Sequence, residues 1–200
     1  MYARSTTFHG KPGNIDAGIK FVINEVAPML DSIEGCRGVS FLVDRETGQS
    51  VATSSWDTDA AMRGSDDQLR PIRDRGRDVL GGSMQVDEWE IAVMHRTQHG
   101  ACCRVSWLQG DLDTLGETFK VALLPRLDET PGFCGASLMI DRDARVGCST
   151  TVWESREAME ASRSAADELR VRAASDSGGE IVDVLEFDLA YAHLHVPELV

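Results

Sequence analysis

Two periods of apolar residues alternate along the chain, the three-to-four-residue period of a half-buried helix and the two-residue period of a strand. Residues 2–9 follow the two-residue period and predict a first strand, which a cluster of glycine and proline ends. The helical period follows over residues 15–33. Pro28 lies inside it and predicts a kink or an early end, because proline lacks the backbone N–H that a helix needs.

A hairpin and a second helix are predicted next. Residues 39–43 and 51–56 are β-prone and flank a short polar turn. Thr58 stands where a helix N-cap is needed, and the glycine that closes this helix is Gly81. A last strand over residues 86–94 completes the order βαββαβ.

The second half of the chain repeats this order. At an offset of 97 residues the positions from Pro28 to Gly82 coincide with the second half without a gap, and the first and last strands need only small shifts. This predicts two copies over residues 1–97 and 98–200. Residues Gly35, Gly38, Ser40, Trp56, Met62 and Ser65 fall on Gly132, Gly135, Ser137, Trp153, Met159 and Ser162. A βαββαβ unit is the ferredoxin-like arrangement, so the predicted fold class is α+β with tandem ferredoxin-like units. The face that helices leave bare must meet a second sheet, which predicts a (pseudo)dimeric α+β barrel within one chain or between two.

A repeated motif follows each hairpin. It consists of Trp, an acidic residue, a short cap and Ala-Met, as in Trp56–Met62 and Trp153–Met159, and Gly-Cys-Arg-Gly-Val-Ser or Gly-Phe-Cys-Gly-Ala-Ser precedes it at hairpin distance. This motif resembles that of the antibiotic-biosynthesis-monooxygenase-like (ABM) family of the dimeric α+β-barrel superfamily. The likeness covers nearly all of both copies.

The resemblance implies ligand pockets between sheet and helices. It also implies a cofactor-independent monooxygenase that acts on an aromatic or quinol-type small molecule. The alternative is a catalytically silent barrel that binds a small ligand or serves as a scaffold. Haem-degrading relatives carry a helical tryptophan where this chain has Ser65 and Ser162, so haem binding or degradation is the less favoured interpretation.

Arginine and glutamate recur on the first and last strands of each copy. Arg4 with Glu90, and Arg104 with Glu186, are predicted to face each other across neighbouring strands. On the bare sheet face, beside Phe8, such a pair would make a polar wall able to hold a phenol or a carboxylate. The structural alternative is an ordinary cross-strand ion pair.

Aromatic and histidine residues supply the other candidates. Trp56, Trp153 and Trp89 are candidate ligand-stacking residues, and a core position is the alternative for the repeated pair. His9 on the first strand is the candidate general base for oxygenation of a phenol. The arginine-rich stretch over residues 70–77, interleaved with aspartates, is interpreted as a solvated helix face.

Composition narrows the expected partners. The formal net charge of −13 opposes binding to nucleic acid or to an anionic membrane. The family resemblance implies a small aromatic molecule as the candidate ligand and a homodimer as the candidate assembly. His193 and His195 share a strand face without a third ligand nearby, so no metal site is predicted. No dinucleotide or phosphate loop is present, so no cofactor is predicted. Five cysteines without a C-x-x-C spacing predict reduced thiols and a cytoplasmic protein.

Overall fold

The chain forms two compact units. A computed structural model describes residues 1–200. Unit 1 comprises Met1–Trp89 and Asp188–Val196, and unit 2 comprises Glu90–Phe187 and Pro197–Val200. Strands β4 (Ser83–Arg96) and β8 (Glu180–Leu194) therefore each contribute residues to both units.

Unit 1 combines an antiparallel sheet with helices. Its other elements are β1 (Tyr2–His9), α1 (Ile15–Phe21), α2 (Ala27–Asp31), β2 (Cys36–Val43), β3 (Gln49–Trp56), α3 (Asp59–Gly64) and α4 (Asp66–Leu80). Strand β3 pairs antiparallel with β1 and with β2, and β2 pairs antiparallel with β8. The hydrogen-bonded order is β4-β1-β3-β2-β8, with β4 and β8 on the outside of the three complete strands.

Unit 2 has the same sequence of elements. They are β5 (Cys102–Gln109), α5 (Leu112–Thr118), α6 (Leu124–Asp128), β6 (Phe133–Asp141), β7 (Val146–Trp153), α7 (Arg156–Ala161) and α8 (Arg163–Asp176). The strand order is β8-β5-β7-β6-β4, and β7 pairs antiparallel with β5 and with β6. Both units are therefore α+β. None of the helices combines the length and the apolar character needed to cross a membrane.

The first long helix does not end at Pro28, contrary to the expectation of an early end. Residues Val22–Val26 form a π-helical turn between α1 and α2, and the N–H of Ala27 donates to the carbonyl of Val22. Proline cannot donate to the carbonyl four residues earlier and its ring crowds that carbonyl, so a wider turn lets the helix continue. Unit 2 has the same π-helical turn, Phe119–Leu123, just before its own proline.

The second long helix begins as predicted and then breaks. The Thr58 side chain accepts a hydrogen bond from the Ala61 N–H, which confirms the predicted N-cap. The helix is interrupted at Ser65, which separates α3 from α4. Ser65 Oγ donates to the Met62 carbonyl at 2.7 Å, so the break holds a hydroxyl group inside unit 1.

The hydrophobic cores of the two units differ in continuity. In unit 2 one cluster extends from Leu108 on β5 through Phe119 to Trp153. In unit 1 one cluster surrounds Phe8 and another surrounds Trp56. The space between those two clusters is where a cavity is found.

Candidate functional site

A cavity of about 60 Å³ lies inside unit 1, between the sheet and helices α1, α2 and α4. Members of both core clusters line it, among them Phe8 and Phe41 from one and Leu30 and Val39 from the other. One water needs about 10–15 Å³ by the same measure, so the cavity has room for about five water-sized groups. The space is large enough for a small organic ligand.

Gly76 on α4 shapes one wall of the cavity. A Cβ atom at this position would lie 3.2 Å from Cζ of Phe8 and 3.5 Å from a ring carbon of Phe21. Helix α4 approaches the two rings closely because residue 76 has no side chain. With Phe41, three phenylalanine rings line the cavity. An aromatic ligand would therefore find ring faces and edges to pack against.

The charged residues that line the cavity are both arginines, Arg4 and Arg73. Arg4 on β1 is 3% exposed. Its Nε and Nη2 donate to Oε1 of Glu88 at 3.3 and 2.7 Å, and its Nη1 donates to Oγ of Ser65 at 3.3 Å. Each nitrogen of this guanidinium has a partner, so the charge of Arg4 is fixed in place at the cavity wall.

Arg73 is the cavity residue with unused donors. Its Nη2 donates to Asp66, but its Nε and Nη1 are buried and have no hydrogen-bond partner. Hydrogen bonds from Arg70 and Arg73 hold the pKa of Asp66 below its ordinary value, against the opposing effect of burial. A buried donor without a partner costs about 1–3 kcal/mol, and more when it is charged. A ligand that offers acceptor atoms to Arg73 would recover that free energy.

The arginine of unit 2 that corresponds to Arg4 also has all its partners. Arg104 is 1% exposed, and its Nε donates to Oε1 of Glu186 at 2.8 Å, which is the contact predicted from the sequence. Its Nη1 donates to Oγ of Ser162 at 3.2 Å and its Nη2 to the carbonyl of Met159 at 2.8 Å. The side chain is therefore a satisfied structural group.

Arg170 in unit 2 matches Arg73 at the offset of 97, and its Nη2 donates to Asp167. Arg163 replaces the carboxylate of Asp66. The buried side-chain atoms without a partner are Oγ of Ser50 and the two nitrogens of Arg73, all of them in unit 1. Buried polar side-chain atoms without a partner are thus confined to unit 1.

The predicted pairing of Arg4 with Glu90 is wrong. Arg4 pairs with Glu88, whereas Glu90 accepts a hydrogen bond at 3.0 Å from Nε of Arg142. Residues 88 and 90 point to the same side of a strand, because side chains alternate with a period of two. The periodicity therefore identifies the face but cannot choose between the two glutamates.

The predicted surroundings of Arg4 and Phe8 also need correction. Both line the cavity together with Gly76 of α4, so they lie on the face of β1 that the helices cover. The sequence analysis placed them on the bare face. Alternation shows which residues share a face, but what covers that face depends on the tertiary structure.

The three candidate tryptophans lie outside the cavity lining. Trp56 and Trp153 are fully buried in the cores of their units. The Trp56 indole N–H donates to Oγ of Ser54 at 3.0 Å, and Ser54 is a cavity residue. Trp89 is buried as well, and its indole N–H donates to Oγ of Ser5 at 2.8 Å. Trp56 therefore contacts the cavity only indirectly, through its hydrogen bond to the lining residue Ser54.

The histidines do not reach the cavity. His9 is exposed at the end of β1, outside the lining, so the expected cavity-facing base is absent from this position. His193 and His195 are exposed, with their Nε2 atoms 3.0 Å apart. No group of three or more His, Cys, Asp or Glu side chains is placed to hold a metal ion.

Sequence reasoning missed Arg73 because its neighbours are charged. The interpretation of residues 70–77 as a solvated face is wrong for this residue. Leu69, Ile72, Gly76 and Leu80 form the stripe of α4 that lines the cavity, and Arg73 lies in the same stripe. The helical spacing of three and four residues from these neighbours was the signal that could have identified it.

Solved structures of monooxygenase-like proteins share this fold. An anthrone oxidase-like protein superposes with a TM-score of 0.67 at 13% identity, covering 100% of this chain and 94% of that one. A Listeria monocytogenes ferredoxin fold protein related to antibiotic biosynthesis monooxygenases has a TM-score of 0.53 at 10% identity, covering 94% of each chain. LmHde, a heme-degrading enzyme from Listeria monocytogenes, has a TM-score of 0.55 at 10% identity, covering 94% of this chain and 99% of its own. At such identities the likeness shows the fold alone.

Sequence comparison identifies the family. No protein-family model matches the chain. The Mycobacterium tuberculosis protein Rv2558 is 47% identical over an alignment of 209 residues. The alignment covers 100% of this chain and 88% of Rv2558. Because this identity extends over the whole chain, the protein belongs to the same family as Rv2558.

Proposed function

We propose that this protein is a cofactor-independent, monooxygenase-like enzyme that binds an aromatic or quinol-type small molecule in the cavity of unit 1. The observation that carries the proposal is the pair of unpartnered nitrogens of Arg73, buried at an otherwise largely apolar cavity. Three phenylalanine rings in the lining suit a flat ring. The fold shared with an anthrone oxidase-like protein supports the reaction class by analogy.

The two arginines supply the chemistry that such a reaction needs. A phenol in water has a pKa of about 10, and adjacent cations favour its anion. Arg73 would donate to the negative oxygen and the fixed charge of Arg4 would favour the anion, while the apolar lining keeps water away from the ring. The electron-rich anion can then pass an electron to O₂. In the balanced reaction a hydroquinone and O₂ give a hydroxyquinone and water.

Binding without turnover is the second candidate function. Arginine is the only titratable residue type among the residues that line the cavity, so no histidine or carboxylate there can accept the phenol proton. His9, the base expected from the sequence, is exposed outside the lining. The proton would have to leave to solvent, and a protein without that route would bind its ligand and release it unchanged.

Oxygen uptake distinguishes the two candidates. We would measure it with chelated, flavin-free protein and a panel of hydroquinones, for the wild type, Arg73→Met and the matched control Arg170→Met. Uptake that falls at least about tenfold in Arg73→Met and is unchanged in Arg170→Met supports the enzyme. Absence of uptake, with a panel member still raising Tm, favours the silent binder. If no member raises Tm or consumes O₂, the proposal is wrong.

We also propose that the two units are tandem ferredoxin-like copies of one ancestral unit. The support is a set of contacts that recur at matching positions. Arg4 donates to Ser65 at 3.3 Å in unit 1, and Arg104 donates to Ser162 at 3.2 Å in unit 2. Each unit also has a capped short helix and a π-helical turn before a proline.

A further inference from the structure

The field inside the cavity is positive. Arg4 and Arg73 both line it, with side chains that are 3% and 12% exposed. Their carboxylate partners, Glu88 and Asp66, do not line the cavity and are 36% and 35% exposed. Water screens the exposed carboxylates more than the buried cations. A ligand with one negative charge at this wall would therefore be favoured over a neutral one.

The unused donors lie at different corners of one guanidinium. Arg73 Nη2 is occupied by Asp66, while Nε and Nη1 are separate and unpartnered. The Nε–H and Nη1–H bonds point to different edges of the planar guanidinium, so an acceptor group of a compact ligand serves one of these nitrogens and not both. A carboxylate is a strong acceptor for such a donor, and it carries the negative charge that is favoured at this wall.

The dimensions of the cavity limit the rest of the ligand. Space for about five water-sized groups corresponds to about 150 Å³ of liquid, which is the size of one substituted aromatic ring. Phe8, Phe21 and Phe41 surround this space, and Gly76 brings α4 against two of the three rings. A three-ring molecule would have to displace part of the core.

We infer that the cavity of unit 1 selects a single-ring quinol that carries a carboxylate. The inference rests on the proposed function and narrows its substrate class from aromatic molecules in general. The carboxylate accepts a hydrogen bond from a free nitrogen of Arg73, and the ring lies among the three phenylalanines. Arg73 is the residue that determines this specificity.

Calorimetric titration with four probes tests the inference. The probes are 2,5-dihydroxybenzoate, its neutral amide, unsubstituted hydroquinone and the three-ring 1,8-dihydroxyanthrone. We expect the acid to bind at least about tenfold more tightly than the amide or hydroquinone, since a charge-assisted hydrogen bond is worth about 1.5–3 kcal/mol. The anthrone is expected to bind most weakly.

Two variants complete the test. Arg73→Met should remove the preference for the acid over the amide, whereas Arg170→Met should leave it intact. Equal affinity for acid and amide in the wild type would overturn the inferred anionic head. Tighter binding of the anthrone would overturn the single-ring limit. Circular dichroism and Tm of each variant show that it is folded before its titration is interpreted.

Oxygen uptake separates failure of this inference from failure of the proposed function. If the acid is preferred but no probe is oxidised, the ligand class stands and the enzyme proposal falls. If 1,8-dihydroxyanthrone or unsubstituted hydroquinone is oxidised without any preference for the acid, the enzyme proposal stands and the inferred ligand class is wrong.

Discussion

Units 1 and 2 have the same order of strands and helices, but they treat a buried arginine differently. In unit 2 Arg170, at the position that matches Arg73, leaves no buried nitrogen without a partner, and one hydrophobic cluster extends from Leu108 to Trp153. In unit 1 Arg73 keeps two donors without partners, beside a cavity between two clusters. Unsatisfied buried groups are rare in folded proteins and concentrate at functional sites. The comparison therefore supports the proposed binding in unit 1.

Differences in side-chain size at matching positions account in part for the cavity in unit 1. The position of Val22 in the cavity wall corresponds to Phe119 in unit 2, which is 2% exposed. Gly18 corresponds to Leu115, which is 1% exposed. Phe21 instead corresponds to the smaller Thr118. Unit 2 has therefore exchanged large and small residues in its core instead of simply enlarging each one.

The largest expected effect comes from the satisfied arginine. Arg104→Met should lower the free energy of unfolding by about 3 kcal/mol, because it leaves Glu186 and two other acceptors without the buried donor. Arg73→Met should change it by less than about 1 kcal/mol, because the loss of the contact with Asp66 is offset by the removal of two buried donors without partners. Urea unfolding of both variants measures the difference. Equal losses would remove the distinction between the two arginines.

Filling the cavity should abolish binding with little loss of fold. Val22→Phe places the side chain of unit 2 at the cavity wall, and we expect ligand affinity to fall at least about tenfold, or about 1.4 kcal/mol. Ile23→Phe is the matched control, since Ile23 is exposed and does not line the cavity. Calorimetric titration with 2,5-dihydroxybenzoate measures both. Undiminished binding in Val22→Phe would place the ligand elsewhere.

The β-hairpin turns of the two units differ by one strained residue. Gly48 has a φ of 80°, and at the matching position Arg145 has a φ of 57°. A left-handed backbone conformation costs a residue with a side chain about 1–2 kcal/mol. Glycine avoids this cost but loses more conformational entropy on folding, so the net gain from glycine is smaller. Arg145→Gly should therefore raise the free energy of unfolding by about 0.5–1 kcal/mol in urea. Gly48→Ala should lower it, and a gain there would contradict the strain argument.

The smallest effect is a pH dependence confined to unit 2. Burial lowers the pKa of His95, but hydrogen bonds to Asp128 and Glu198 outweigh it and raise the pKa above 6.5. The stabilisation is therefore fully present below about pH 6.5 and is lost as the pH rises through the raised value. The free energy of unfolding of the wild type should exceed that of His95→Gln by a larger margin at pH 5.5 than at pH 8.5. The margin should change by up to about 1 kcal/mol between the two pH values. The control variant is His9→Gln, which removes an exposed histidine of unit 1 instead.

The periodicity of the sequence is enough to predict the order of elements, since strand and helix patterns depend on local spacing. The N-cap at Thr58 and the contact between Arg104 and Glu186 also follow from local rules. The partner of Arg4 does not, because Glu88 and Glu90 share one strand face and only the register between strands separates them. The cavity could not be predicted either, because it depends on how side chains from several elements fill the core.

The central claim is that Arg73, and no arginine of unit 2, receives the ligand. Side-chain Nε–H signals of arginines in a ¹⁵N-labelled sample measure this directly during titration with 2,5-dihydroxybenzoate, with Arg73→Met and Arg170→Met identifying the two resonances. The account predicts that the Arg73 Nε–H signal shifts on binding and that the Arg170 signal stays in place. A shift of the Arg170 signal, with that of Arg73 unchanged, would contradict it.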